Sequence, residues 1–232
     1  MQFIVHSHRN AMEIIESTPE LKNLWSEIEY AVASVTESIL LEDYAEKVRV
    51  KQALNDSPPK SLSYSINDLL DYRLVSQGWE PQSALFNQPP YTNRNDKRWR
   101  LDFSKSAPLS DESARSINTS QKLTGIAVEV AFNHGEAIAW NLLKPVMAAE
   151  LNHVEKAIDI GEGIGVIITA SEALKKSGGF DGAVGEFEKV LRYLAPMRNQ
   201  LSTPMLILGL LPPRSFRLEK LKGKRPSRII TL

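Results

Sequence analysis

Residues 124–134 read TGIAVEVAFNH, an apolar run broken by one carboxylate, Glu129. Side chains alternate along a strand, so Glu129 shares a face with Ala127 and Ala131, while Ile126, Val128, Val130 and Phe132 take the other. Metal-dependent cleavage of a phosphodiester needs carboxylates that converge on Mg2+, a hard cation that prefers oxygen ligands. One arrangement sets an Asp on one strand and, on the next, a Glu with a second polar residue two positions later. Here only Glu129, of the three residues on its face, can bind a metal or activate water. Two readings follow: half of an incomplete metal site, or a solvated residue on a half-exposed strand.

Other reactive residues are sparse. His6 and His8 share one face of a short strand pattern and are two potential metal ligands, while His134 follows Glu129 at the strand exit, where a general base can sit. For each histidine a structural or solvent-facing role is the simpler expectation. GEGIGV (161–166) precedes a strand pattern instead of opening a helix, which argues against a dinucleotide site. YTNRNDKRWR (91–100) interleaves Tyr91 and Trp99 with Arg94, Lys97, Arg98 and Arg100; it fits a phosphate-holding, base-stacking segment or a surface loop entering a strand.

The chain has 232 residues and no net charge, but residues 212–232 carry seven basic side chains against one acid, Glu219. That tail can neutralise phosphates, or it can be solvated or lie in an oligomer contact. With no cysteine, disulfides and thiolate metal sites are excluded, which fits a reducing cytoplasm. No apolar run approaches the roughly 18 residues needed to span a bilayer, and MQFIVHSHRN lacks the pattern of a signal peptide.

These groups need elements to position them. QFIVHS (2–7) suits an edge strand. A helix should start at Thr18-Pro19 and bury Leu21, Leu24, Trp25, Ile28, Ala31, Val32 and Val35. Residues 63–76 form a second helix, residues 80–98 a long irregular segment, and 98–104 a strand. A hairpin arm at 118–123 leads into a strand at 126–132, then a helix over 136–158 with Trp140, Leu143, Met147 and Leu151 inward and a kink at Pro145. Strands at 165–171 and 204–211 flank an amphipathic helix at 183–195. The alternation argues for an α/β fold with a mixed central sheet flanked by helices. We divide this single domain into a helical and irregular N-terminal part (1–117), an α/β core (118–211) and a basic C-terminal tail (212–232).

Several of these segments, in order, resemble the BglII and BstYI restriction endonucleases, BstYI most closely. NLWSEIEYAVASV (23–35) resembles their N-terminal Trp-x-Glu-Ile helix, and QGWEPQS (77–83) a Gly-Trp segment. IAVEVAF (126–132) stands where the family has a catalytic strand ending Glu-Val-Gln-Phe. GVIITASEALKKSGG and PMLILGLLPP match the following core strands, and KGKRPSRIITL (222–232) resembles the basic C-terminus.

The resemblance implies a homodimeric enzyme of the PD-(D/E)XK nuclease fold with extra N-terminal helices, cutting palindromic double-stranded DNA with a GATC core and using Mg2+. By position it implies Glu129 as a metal ligand, the Val130 carbonyl as a backbone ligand, and Glu27 as an acid facing the active site. Two matches fail: the family's Asp, nine residues before the Glu, is Ser120 here, and its Gln, two residues after, is Ala131. Replacement acids on offer are Asp102 or Asp111, given a longer hairpin, and Glu136 or His134. Candidate readers of base edges are Lys175, Lys176 and Ser177; candidate phosphate contacts are Lys222, Lys224 and Arg225. The expected function is a type II restriction endonuclease. The alternatives are a DNA-binding homologue that has lost cleavage, or an engineered inactive form, and a structural dimer that binds no nucleic acid.

Overall fold

IGVIITA and MLILGL are apolar on both faces, so both faces must be covered. They form the central strands of the computed structural model, β5 (Ile164–Ala170) and β6 (Met205–Leu210), with every residue buried. The structure describes residues 1–93, 95–116, 122–150, 160–161, 163–223 and 225–232. Four more strands complete one mixed sheet: β1 (Phe3–His8), β2 (Glu80–Ala84), β3 (Arg100–Pro108) and β4 (Leu123–Val130). The order is β1-β6-β5-β4-β3-β2; β4, β5 and β6 run parallel and the other neighbours pair antiparallel.

Strand alternation divides the core in two. Helices α1 (Ala11–Ser17), α2 (Pro19–Ser34), α3 (Glu37–Ala53) and α4 (Ser63–Ser76) precede β2. Leu21, Trp25, Ile28 and Val32 of α2 pack with Ile126, Val128, Val166, Ile168, Leu206 and Leu208 on one face. The other face carries α6 (Ile138–Ala149) and α8 (Phe187–Leu194), whose Ile138, Leu142, Val146, Phe187 and Val190 meet Ala131, Ile167, Met205 and Ile207. Two short helices, α5 (Asp111–Ser116) and α7 (Glu172–Ser177), lie in connections.

Several expectations are revised. The segment 80–98 contains a strand, β2, in its first residues. The partner of β4 on its antiparallel side is β3, not an arm at 118–123; the two are joined through α5, and 117–121 lie outside the described residues. The helix of 136–158 is described as α6 to Ala149, and runs through Pro145. Its buried side is Ile138, Asn141, Leu142, Lys144, Pro145, Val146 and Ala148, so Trp140, Leu143 and Met147 are only half-buried; Leu151 lies outside the described residues. The basic tail folds: β7 (Phe216–Glu219) pairs with β8 (Arg228–Thr231), and Phe216 and Leu218 are buried in the main core.

Candidate active site

Glu129 stands on the α6 face of β4 and is 2% exposed, so it is not a solvated strand residue. Its Oε2 accepts from Lys144 Nζ at 2.8 Å. Its Oε1 is buried with no hydrogen-bond partner among the described residues. Burial disfavours the charged form, and the nearby carboxylate of Asp102 adds to that effect. Together they push the Glu129 carboxyl up to about 8, against the opposing pull of Lys144.

Asp102 is the second acid. On β3, Phe103 pairs with Val128, so one step along the same register brings Asp102 opposite Glu129. There the Asp102 side chain takes over the role of ladder acceptor: Oδ2 receives the Val130 N–H at 2.8 Å. Oδ1 receives Gln82 Nε2 at 3.2 Å, from the edge strand β2. Gln82 holds a left-handed backbone (φ 48°), and its carbonyl is bound by Arg100 Nη1 at 2.7 Å. Non-glycine residues in that region are uncommon and gather at functional sites.

Lys144 is the third charged group. It is the one ionic side chain of IAWNLLKPVMAA, and its side chain is 9% exposed. Its helix sits close on the sheet because β5 has a glycine beneath it: a Cβ on Gly165 would lie 2.7 Å from Pro145 Cβ. Pro145 against Gly165 sets the depth of α6, and the neighbouring Lys144 reaches Glu129. The site therefore draws one charged residue from each of β3, β4 and α6.

The remaining candidates are dispersed. Ala131 is buried on the Glu129 face and offers a methyl group; its N–H donates to the Ile168 carbonyl at 2.7 Å. The Val130 carbonyl accepts a long bond from the Phe132 N–H, 3.3 Å. Ser120 lies outside the described residues. Glu27 is not brought to Glu129. Its carboxylate binds Lys105 Nζ at 2.7 and 2.9 Å and Trp79 Nε1 at 2.8 Å. Lys105 pairs with Ile126, which packs under α2 on the opposite face of the sheet.

Lys175 donates to Glu186 (2.7 Å) and to the Val184 carbonyl (2.6 Å), Lys176 pairs with Glu172 (2.7 Å), and Ser177 Oγ donates to the Ala173 carbonyl. Both lysines line a cavity of about 330 Å³ with Phe180 and Lys220. Lys222 and Arg225 are exposed, and Lys224 lies outside the described residues. Tyr91 and Trp99 pack into an aromatic cluster with Phe86 and Trp140, which leaves their faces committed to one another. No group of three or more His, Cys, Asp and Glu suited to a metal occurs among the described residues.

Sequence reasoning named Asp102 only as one replacement among several and missed Lys144 and Gln82. The available signal for Lys144 was a lone charge inside an apolar helix.

The restriction endonuclease BglII/BglIII family model matches residues 3–210. A crystal structure of restriction endonuclease BglII complexed with a DNA 16-mer has the same fold, with a TM-score of 0.59, 14% identity and full coverage of both chains. Free BglII aligns over both full chains at 13% identity with a TM-score of 0.46. No curated protein sequence matches the chain.

Proposed function

Because the chain belongs to the restriction endonuclease BglII/BglIII family, we propose that it is a type II restriction endonuclease. In this reading it is a cytoplasmic homodimer that cuts palindromic double-stranded DNA with a GATC core by Mg2+-dependent hydrolysis. The observation that carries the reading is the pair Asp102 and Glu129, opposite one another on adjacent strands, with Glu129 Oε1 buried and without a partner among the described residues. A buried carboxylate oxygen without a donor is costly, and a cation supplies what is missing. Two carboxylates and the Val130 carbonyl are the kind of oxygen donors that Mg2+ prefers.

When bound, the ion would make water a competent nucleophile near neutral pH and offset the charge developing on the phosphate. The chain's own residues hold and orient. The Val130 N–H and Gln82 fix the Asp102 carboxylate from two sides. The wall of α6 keeps bulk water from Glu129, which strengthens every charge interaction there. In the reaction, the oxygen of water bonds to phosphorus and gives up a proton, and the ester bond to one sugar oxygen breaks, that oxygen taking up a proton from solvent.

The solved BglII complex with a DNA 16-mer supports a DNA partner, and we take that partner to be a duplex. Lys175, Lys176 and Ser177 are proposed at the base edges; Lys222, Lys224 and Arg225 are proposed on phosphates, where they set register. Twofold symmetry in the dimer suits a palindromic site. One observation favours the alternative, a DNA-binding homologue without cleavage: Ala131 gives the site no polar group at the position where the family has Gln.

The deciding experiment offers duplexes carrying every NGATCN hexamer with Mg2+ or Mn2+ and scores binding and cleavage separately. Cutting is expected at a palindromic member and is expected to vanish in Asp102→Asn, with binding in Ca2+ retained. Tight, selective binding without any cutting supports the alternative, and absence of DNA affinity at low salt refutes both.

A further inference from the structure

Three observations about Lys144 go together. It is the only charge on a largely apolar helix, it is buried, and Glu129 receives its ammonium at 2.8 Å. Position 131, on the Glu129 face of β4, carries only a methyl group. A purely structural explanation of the pair is poor. Buried ion pairs are commonly no more stabilising than apolar residues of similar volume. A pair kept for structure alone should also satisfy both carboxylate oxygens, and Oε1 has no partner among the described residues.

Resting on the nuclease reading above, we propose that Lys144 is a catalytic residue: α6 supplies, as a fixed ammonium, the polar group that position 131 of the strand lacks. Free of DNA, the ammonium holds Glu129 in place. With substrate and cation present, it donates to a non-bridging oxygen of the scissile phosphate, next to the Glu129 carboxylate. It transfers no proton and forms no covalent bond; it stabilises charge that grows on the phosphate as water attacks. A donor preorganised in a dry site is worth roughly 10²–10³ in rate.

The test compares the wild type, Lys144→Met, Lys144→Arg and the relocated pair Lys144→Met with Ala131→Lys. Single-turnover cleavage, DNA affinity in Ca2+ and Mn2+ affinity by electron paramagnetic resonance are measured on each. Lys144→Met is expected to cut about 10²–10³-fold more slowly, with DNA affinity in Ca2+ lowered far less than the rate and Mn2+ bound at least as tightly, since a competing positive charge is gone. The relocated pair and Lys144→Arg are expected to recover part of the rate, and they keep the test decisive if Lys144→Met fails to fold. Wild-type cleavage by Lys144→Met overturns the proposal, as does loss of Mn2+ binding in that variant or a folded relocated pair with no recovery. These outcomes leave the nuclease reading standing. A wild type that binds DNA and Mn2+ yet cuts nothing overturns the nuclease reading, and the role of Lys144 with it.

Discussion

Charge inside the core makes a quantitative prediction about stability. The ordinary value for the Glu129 carboxyl is 4.5, and in the folded chain it lies at about 8. At about 1.4 kcal/mol per pH unit, that interval amounts to roughly 5 kcal/mol. The sign follows from which state holds the proton. Between 4.5 and about 8 the unfolded chain has released it and the folded chain keeps it. The Glu129 contribution to stability is therefore full below pH 4.5 and is lost as pH rises through about 8. Glu20, held down to about 2 by the Ser110 and Ser113 donors against the upward push of its own burial, has the opposite dependence, but it is already ionised throughout this window.

The assay is urea unfolding of the wild type, Glu129→Gln, Lys144→Met and the double variant at pH 5.5, 7 and 9. Taking differences at each pH cancels the contributions of the other titrating groups. Glu129→Gln should gain on the wild type by a few kcal/mol between pH 5.5 and 9. Lys144→Met should move the other way: its loss is modest while Glu129 keeps a proton and grows toward about 3–5 kcal/mol once the carboxylate is charged and alone. The double variant should sit near the wild type or above it. A flat difference between Glu129→Gln and the wild type across the window refutes the argument, because it means that Glu129 is charged and solvated at neutral pH. So does strict additivity of the two single changes, because contacting charges in one buried network couple.

Three further outcomes follow from the packing. Gly165→Ala puts a methyl group against Pro145, so α6 must rise; it should cost about 1–3 kcal/mol in urea unfolding and slow cleavage through displacement of Lys144. Glu27→Gln acts on the far face of the sheet; calorimetry should show a loss of no more than about 1 kcal/mol for the partly exposed pair with Lys105, and cleavage should stay within a few-fold of the wild type. Phe216→Ala removes a ring that is 1% exposed and should cost about 3–5 kcal/mol by the same unfolding assay, a result that a free, solvated basic tail would not give.

What the sequence disclosed, and what it hid, follows from the length scale of each signal. Strand and helix identity rest on periodicity over a few residues, so β5, β6, α2 and α8 were legible from their apolar spacing. Glu129 was legible because a carboxylate in an apolar run is a local anomaly. Asp102 was not singled out, because its place beside Glu129 depends on the β3–β4 register, and the connection between those strands carries α5. Spacing along the chain places an acid only where the connection has a fixed length; here the strand register makes the contact across a connection that carries a helix. The same holds for Lys144, whose reach to Glu129 is set by Pro145 resting on Gly165, a contact between elements. In residues 212–232 the charge count masked a local pattern: FRLE alternates apolar and polar side chains, and the apolar pair enters the core. Ser120 and Ala131 marked two missing groups in the linear motif. In space, Asp102 stands beside Glu129 as the second acid, and Lys144 brings the third charge. A motif read along the chain is therefore no inventory of the charged groups a fold gathers, because neighbouring strands and a helix can bring them to one carboxylate.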